Sequence, residues 1–163
     1  MTIPRLREAH VVVLEGGPSA EATVSRSSAA GVRQALEGAV GRVTPLELDA
    51  KLASHLDALA PDVVFPALHG PPGEDGTVQG LLDLLGLPYV GSGVAASVTA
   101  MDKALAKHCF RAAGLPVARD LVIPAGTGTD QAATWVLDTL GCAVVVKPSQ
   151  QGSALGVTLV DSE

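Results

Sequence analysis

Two short apolar runs, each leading into glycine, constrain this chain more than any other feature. His10–Leu14 is a continuous run that ends at Gly16-Gly17, and Val63–Pro66 is another, followed by His69-Gly70. Short runs with apolar residues at consecutive positions fit strands covered on both faces. Val24, Ser28, Val32, Ala35 and Leu36 recur at helical spacing between them, so a helix is predicted over 24–36. Arg42–Leu48 reads as a second strand, and Leu52, Leu56 and Leu59 mark a short helix stopped by Pro61. Val78, Leu81, Leu82 and Leu85 share a helix face closed by Gly86, and Leu87–Val90 begins a fourth strand. Strands alternating with helices predict a parallel sheet built from right-handed crossovers. Ligands of such sheets sit beyond the carboxyl ends of the strands. The Gly16-Gly17 and His69-Gly70 loops are therefore expected to face one crevice.

The pattern changes after Gly91-Ser92-Gly93, and a boundary is placed near Gly93–Val98, giving domains at 1–96 and 97–163. Thr99 and Asp102 have capping-box spacing ahead of a helix whose inner face would carry Leu105, His108, Cys109 and Ala112. Gly114 and Pro116 supply its stop signal. Val117–Ile123 reads as a strand, and Ala133, Val136, Leu137 and Leu140 as the inner face of a helix ending at Gly141. Ala143–Pro148 is a further strand, followed by a glycine-bearing loop over Gln150–Gly156 and a strand over Val157–Val160.

Composition removes several classes. Hydrophobic residues make up 47% of 163 but aromatics only 2%, so the core is aliphatic, which suits a helix-covered parallel sheet. Net charge is -6 with no basic cluster, which argues against nucleic-acid binding. No stretch approaches the roughly 18 continuous apolar residues of a membrane span, and the N-terminus lacks a signal-peptide pattern. A cytoplasmic location is expected. Cys109 and Cys142 match no metal or redox spacing and are expected as buried, reduced thiols.

Several residues carry candidate chemistry. Lys147 follows three valines in a strand expected to be buried, and a buried ammonium needs an anionic partner. The loop after it, SQQGSALG, has the small residues and N–H groups of a phosphate-binding nest; the plainer alternative is a lysine snorkelling beside a hairpin turn. Lys103 in a helix first turn opposes the dipole slightly. Glu21 either compensates a helix dipole or holds a substrate ammonium group. His69 is either a ligand contact or a turn residue bonded to backbone. Glu74 and Asp75 most simply cap the next helix. His10, His55 and His108 have no partners at ligand spacing and read as edge, solvent and helix-face residues. The first loop lacks GxGxxG, so a dinucleotide site is not expected.

Four ordered segments together resemble D-alanine–D-alanine ligases of the ATP-grasp group. They are LEGGPSAEATVS, FPALHGPPGEDGTVQGLLDLLGLPYVGSG, MDK at Met101–Lys103, and VVVKPSQQGSALGV at Val144–Val157. The resemblance implies a parallel, Rossmann-like α/β N-terminal domain (pre-ATP-grasp) followed by part of an ATP-grasp central α+β domain. It implies ATP-dependent joining of two D-alanines for peptidoglycan, with ATP as substrate, Mg2+ or Mn2+ as cofactor, and a homodimer formed through the N-terminal domain. Carried over by position, Glu21 matches the acid orienting the first D-alanine, and His69 the histidine lining that pocket. Lys103 and Lys147 match the phosphate-holding lysines, and Gly152 and Ser153 the phosphate-covering loop. Ser153 also matches the serine bonded to the acid equivalent to Glu21, so Glu21 and Ser153 are the catalytic candidates. No metal ligand is assigned.

Departures accompany the match. The family's SAEREVS is SAEATVS here, and its REGSS is QQGSA, so both loops lose charge. The tyrosine, the oxyanion-facing arginine and the acidic magnesium ligands of the family have no counterpart in the chain. It is expected to be the N-terminal half of a ligase and inactive alone. Alternatives are a non-catalytic binding or dimerisation module, or a ligase using D-lactate or D-serine second.

Overall fold

Strand β1 (His10–Glu15) is the middle of a three-stranded parallel sheet, with β2 (Arg42–Glu47) on one side and β3 (Val63–Pro66) on the other. This computed structural model describes residues 6–161, which divide into a first unit ending at Thr99 and a second starting at Ala100. The expected parallel α/β sheet is therefore present. Val12 pairs with Thr44 and Val64, and Val13 with Pro45 and Phe65. Pro45 lacks an N–H and is accommodated because β2 is an edge strand.

Side chains of a strand alternate between faces, which explains why β1 is apolar throughout. Val12 and Leu14 join Leu52, Leu56, Val64, Leu68, Val78 and Leu82 in one cluster. Helices α2 (Leu52–Leu59) and α3 (Thr77–Leu84) supply that layer. Val11 and Val13 face the other way, against Ala29 of α1 (Ala22–Leu36) and Ala67. Val12, Val13 and Leu14 are 0% exposed, and burial of each such side chain stabilises the unit by about 1.5–3 kcal/mol.

Three expectations for the first unit change. The inner line of α1 is Ser25, Ala29, Val32 and Leu36, whereas Val24 is exposed. The helix is rotated because Ser25 is anchored to the sheet by two hydrogen bonds. Leu87–Val90 is not a full strand. It makes one parallel bridge, Val64 to Tyr89, through Val64 N–H to Pro88 O and Val90 N–H to Val64 O. His10 opens the central strand rather than lying at an edge, and its ring Nε2 is 2.9 Å from Thr44 Oγ1.

After α3 comes α4 (Val94–Met101), a helix the sequence pattern missed. Thr99 belongs to it and donates to Ala95 O, so the expected capping box does not form. The cap of α5 (Lys103–Ala112) is Asp102, whose side chain accepts from the N–H groups of Ala104 and Leu105.

The second unit contains α5, α6 (Thr129–Leu140) and an antiparallel pair, β4 (Val144–Val146) and β5 (Thr158–Val160). None of its described residues is buried. Leu105, His108, Cys109 and Ala112 are exposed rather than inward, and both cysteines are exposed thiols. Val117–Ile123 forms no strand. Its Ala118 carbonyl accepts from Lys107 Nζ, and Asp120 is paired with Lys107 and Arg111. The expected burial of Lys147 also fails. Val145, Val146 and Lys147 are exposed because a two-stranded ribbon offers no layer to cover them.

Candidate functional site

In the first unit, chemistry collects at the carboxyl ends of β1 and β3. Gly16 (φ +69) and Gly17 (φ +93) turn the chain off β1 through the left-handed region. The Gly16 N–H donates to Ser25 Oγ at 2.9 Å, and the same hydroxyl donates to Ala67 O at 2.7 Å. Ser25 is 0% exposed, so one side chain ties the ends of both strands to α1. The expected convergence of the two glycine loops is seen here.

Glu21 lies at the N-cap of α1 and is 3% exposed. Its carboxylate makes no capping hydrogen bond to the helix. The backbone instead holds it in place. Glu21 N–H donates to Ser19 Oγ at 3.0 Å, and Glu21 O accepts from Ser25 N–H at 3.0 Å. The Glu21 carboxylate stands over Gly70. A Cβ added to Gly70 would lie 2.6 Å from Glu21 Oε2 and 2.6 Å from Ser19 Oγ.

His69 precedes that glycine. Its Nε2 is 2.9 Å from Ser28 Oγ, which pins the half-buried ring against α1. Glu74 and Asp75 divide the work expected of both. Glu74 Oε2 accepts from Gly70 N–H at 2.8 Å and closes the 70–74 loop, whereas Asp75 Oδ1 accepts from Thr77 N–H at 3.0 Å at the start of α3. At the rim, Arg26 pairs with Glu47 at 2.5 Å and holds the Glu47 carboxyl below its usual range.

Gly70 and Gly86 both sit at φ +67, but nothing lies within 4 Å of a Cβ at Gly86. Gly86→Ala is therefore expected to cost only the left-handed penalty of about 1–2 kcal/mol. Gly70→Ala should cost at least about 1 kcal/mol more, because it must also displace Glu21 and Ser19. Urea unfolding of both variants measures the difference; equal losses would show that the carboxylate does not press on Gly70.

In the second unit, Lys103 is placed by the first turn of α5. Its N–H donates to Ser149 O at 3.1 Å, and its Nζ to Ser149 O at 3.2 Å and Gln151 O at 2.6 Å. Ser153 (φ 48), Ala154 (φ 56) and Gly156 (φ +70) curl the following loop through left-handed conformations. Leu155 N–H to Gly152 O at 3.1 Å and Val157 N–H to Ala154 O at 3.2 Å close two turns within it. The structure thus brings Lys103 to the start of the Gly152–Ser153 loop. Lys147 lies past the end of β4 with its side chain exposed.

The sequence pattern did not single out Ser25, marked Gln150 only as a departure in the QQGSA loop, and used Ser28 only as a helix-face residue. Gln150 Nε2 donates to Asp102 Oδ2 at 2.9 Å, and Ser149 Oγ to Asp102 Oδ1 at 3.2 Å. These bonds, Gln150 foremost, hold the Asp102 carboxyl below its usual range. A serine one step off the apolar line of α1 was the available signal for Ser25. The Gln150 contact, which spans 48 positions, left no local pattern.

Known proteins share the sequence and fold of this chain. A family described as "D-ala D-ala ligase N-terminus" matches residues 45–92. The D-alanine–D-alanine ligase of Sinorhizobium medicae is 47% identical over 154 residues, covering 94% of this chain and 48% of the relative. A crystal structure of the D-alanine–D-alanine ligase of Bacillus anthracis superposes with a TM-score of 0.81 at 33% identity, covering 95% of this chain and 50% of that one. A structure of the Bacillus anthracis ligase complexed with ATP superposes with a TM-score of 0.70 at 32% identity, covering 95% and 51%. The chain spans about half the length of the relatives it matches.

Proposed function

Because the chain belongs to the D-alanine–D-alanine ligase family, we propose that it carries the first D-alanine pocket and part of the ATP site of an enzyme making D-alanyl-D-alanine. In this reading residues 1–96 form the amino-acid side and residues 97–163 part of the nucleotide side. One D-alanine carboxylate oxygen attacks the γ-phosphorus of ATP, and ADP leaves. The amine of a second D-alanine then attacks the acyl carbonyl, forming the amide, and inorganic phosphate departs.

The observation that carries the reading is the buried Glu21 carboxylate over Gly70, next to a His69 whose ring is held by Ser28. A carboxylate withdrawn from water interacts strongly with an ammonium group brought beside it, and a fixed imidazole limits the orientations an amino acid can adopt. Lys103 supplies positive charge for phosphate oxygens at the start of the Gly152–Ser153 loop, and Lys147 a second ammonium. Ser153 completes the set as the hydroxyl assigned to the catalytic acid.

Magnesium, a cytoplasmic location and a homodimer through the first unit belong to the same reading and rest on family likeness. Among the described residues no group of three or more His, Cys, Asp and Glu could hold a metal ion, so no step is assigned through one. Among the same residues no helix is long and apolar enough to cross a membrane.

Calorimetry with D-alanine tests the pocket. The unsubstituted chain is expected to bind D-alanine, and Glu21→Lys to weaken binding at least about tenfold by replacing attraction to the ammonium with repulsion. Unchanged affinity in Glu21→Lys would remove Glu21 from the pocket.

A further inference from the structure

Two consecutive residues hold the loop that the nucleotide reading depends on, and the bonds are unevenly shared. Lys103 grips backbone carbonyls at Ser149 and Gln151. Asp102 grips side chains, accepting from Ser149 Oγ on Oδ1 and from Gln150 Nε2 on Oδ2. Asp102 Oδ1 also accepts from Ala104 N–H at 2.9 Å and Leu105 N–H at 3.1 Å, so the same carboxylate starts α5. Three donors therefore share Oδ1, whereas Gln150 is the donor on Oδ2.

We propose that Asp102 is a positioning residue: through Gln150 and Ser149 it locks the start of the 149–156 loop to the first turn of α5 before a nucleotide arrives. The role rests on the reading of that loop as a phosphate cover. The left-handed Ser153 and Ala154 are costly for residues with a Cβ and persist only where neighbouring structure holds them. Gln150 and Ser149 lie on the β4 side of that turn, and both bond to Asp102. Fixing them spares the ordering cost that ligand binding would otherwise carry. Gln150 contributes only to the loop, whereas Asp102 also caps the helix, so the two functions can be separated by substitution.

The test uses the 163-residue chain, with amide hydrogen exchange of residues 150–156 and of α5, and an ATP titration followed on the same amides. Gln150→Ala should raise loop exchange about tenfold and leave α5 unchanged, because Asp102 keeps both capping bonds. Gln150→Arg restores a donor, now charged, and should return exchange to the starting rate or below. Asp102→Ser keeps a helix cap but loses the carboxylate that holds Gln150 and Ser149, and should raise loop exchange at least as much as Gln150→Ala. ATP affinity should fall at least about threefold in Gln150→Ala and recover in Gln150→Arg. Unchanged loop exchange in Gln150→Ala overturns the lock whatever ATP does. Raised exchange with unchanged ATP affinity overturns the positioning role. Absence of any ATP response in the unsubstituted chain sinks the phosphate reading itself, and exchange alone then decides the lock.

Discussion

Ser25→Ala is expected to lower the unfolding free energy by about 2–5 kcal/mol, although it removes a single oxygen atom. The hydroxyl is fully buried, accepts from Gly16 N–H and donates to Ala67 O. Truncation leaves a donor and an acceptor without this partner, each costing about 1–3 kcal/mol when unsatisfied. Against a typical total of about 5–15 kcal/mol, that loss is a large fraction of stability. Ser27, exposed on the same helix, provides the control, and Ser27→Ala should change stability by less than about 0.5 kcal/mol. Urea unfolding measures both. A Ser25→Ala loss no larger than the Ser27→Ala loss would mean that Gly16 and Ala67 find other partners. Ser25→Ala should also loosen the two strand ends it joins, which carry the Gly16-Gly17 turn and the approach to His69.

Expressed separately, residues 1–99 are expected to melt in one cooperative transition and residues 100–163 in none. The first unit contains a two-sided aliphatic core on a parallel sheet. The second has no buried residue among those described, and Phe110, Trp135, Val146 and Leu159 stand 40–77% exposed. Ordering each residue costs about 1.5 kcal/mol of conformational entropy, which only apolar burial offsets on this scale. Scanning calorimetry and the near-ultraviolet signal of Trp135 follow the outcome. A sharp transition in residues 100–163 alone would show that its exposed side chains have a packing arrangement absent here.

The two units were not equally legible in the sequence. β1, β3, α2 and α3 could be read because consecutive valines and i, i+3, i+4, i+7 leucines report burial directly, and in the first unit that burial exists. The same logic applied to VVVKP gave a buried Lys147, but valine marks strand preference as much as depth, and an uncovered ribbon satisfies the first without the second. Leu87–Val90 had strand composition but makes a single bridge, a tertiary outcome beyond any local pattern. Val117–Ile123 looked like a strand until Lys107 and Arg111 took its polar groups. Thr99 and Asp102 have the right spacing for a capping box, yet the geometry makes Asp102 the cap, and spacing alone does not say which residue leaves the helix. Glu21 and His69 stayed open on local pattern and were singled out by resemblance; their burial, complete for Glu21 and partial for His69, is a tertiary outcome. Ser25, which joins the ends of β1 and β3, was missed because the inner line of α1 was started from Val24, one position away.

The central place of β1 has a bearing on how the protein is made. Its two neighbours come from Arg42–Glu47 and Val63–Pro66, so the earliest and most apolar strand leaves the ribosome with neither flank available. Until Pro66 has been translated, at least one edge of His10–Glu15 stays open to any extended segment nearby, and this interval is when a nascent chain has most need of a chaperone.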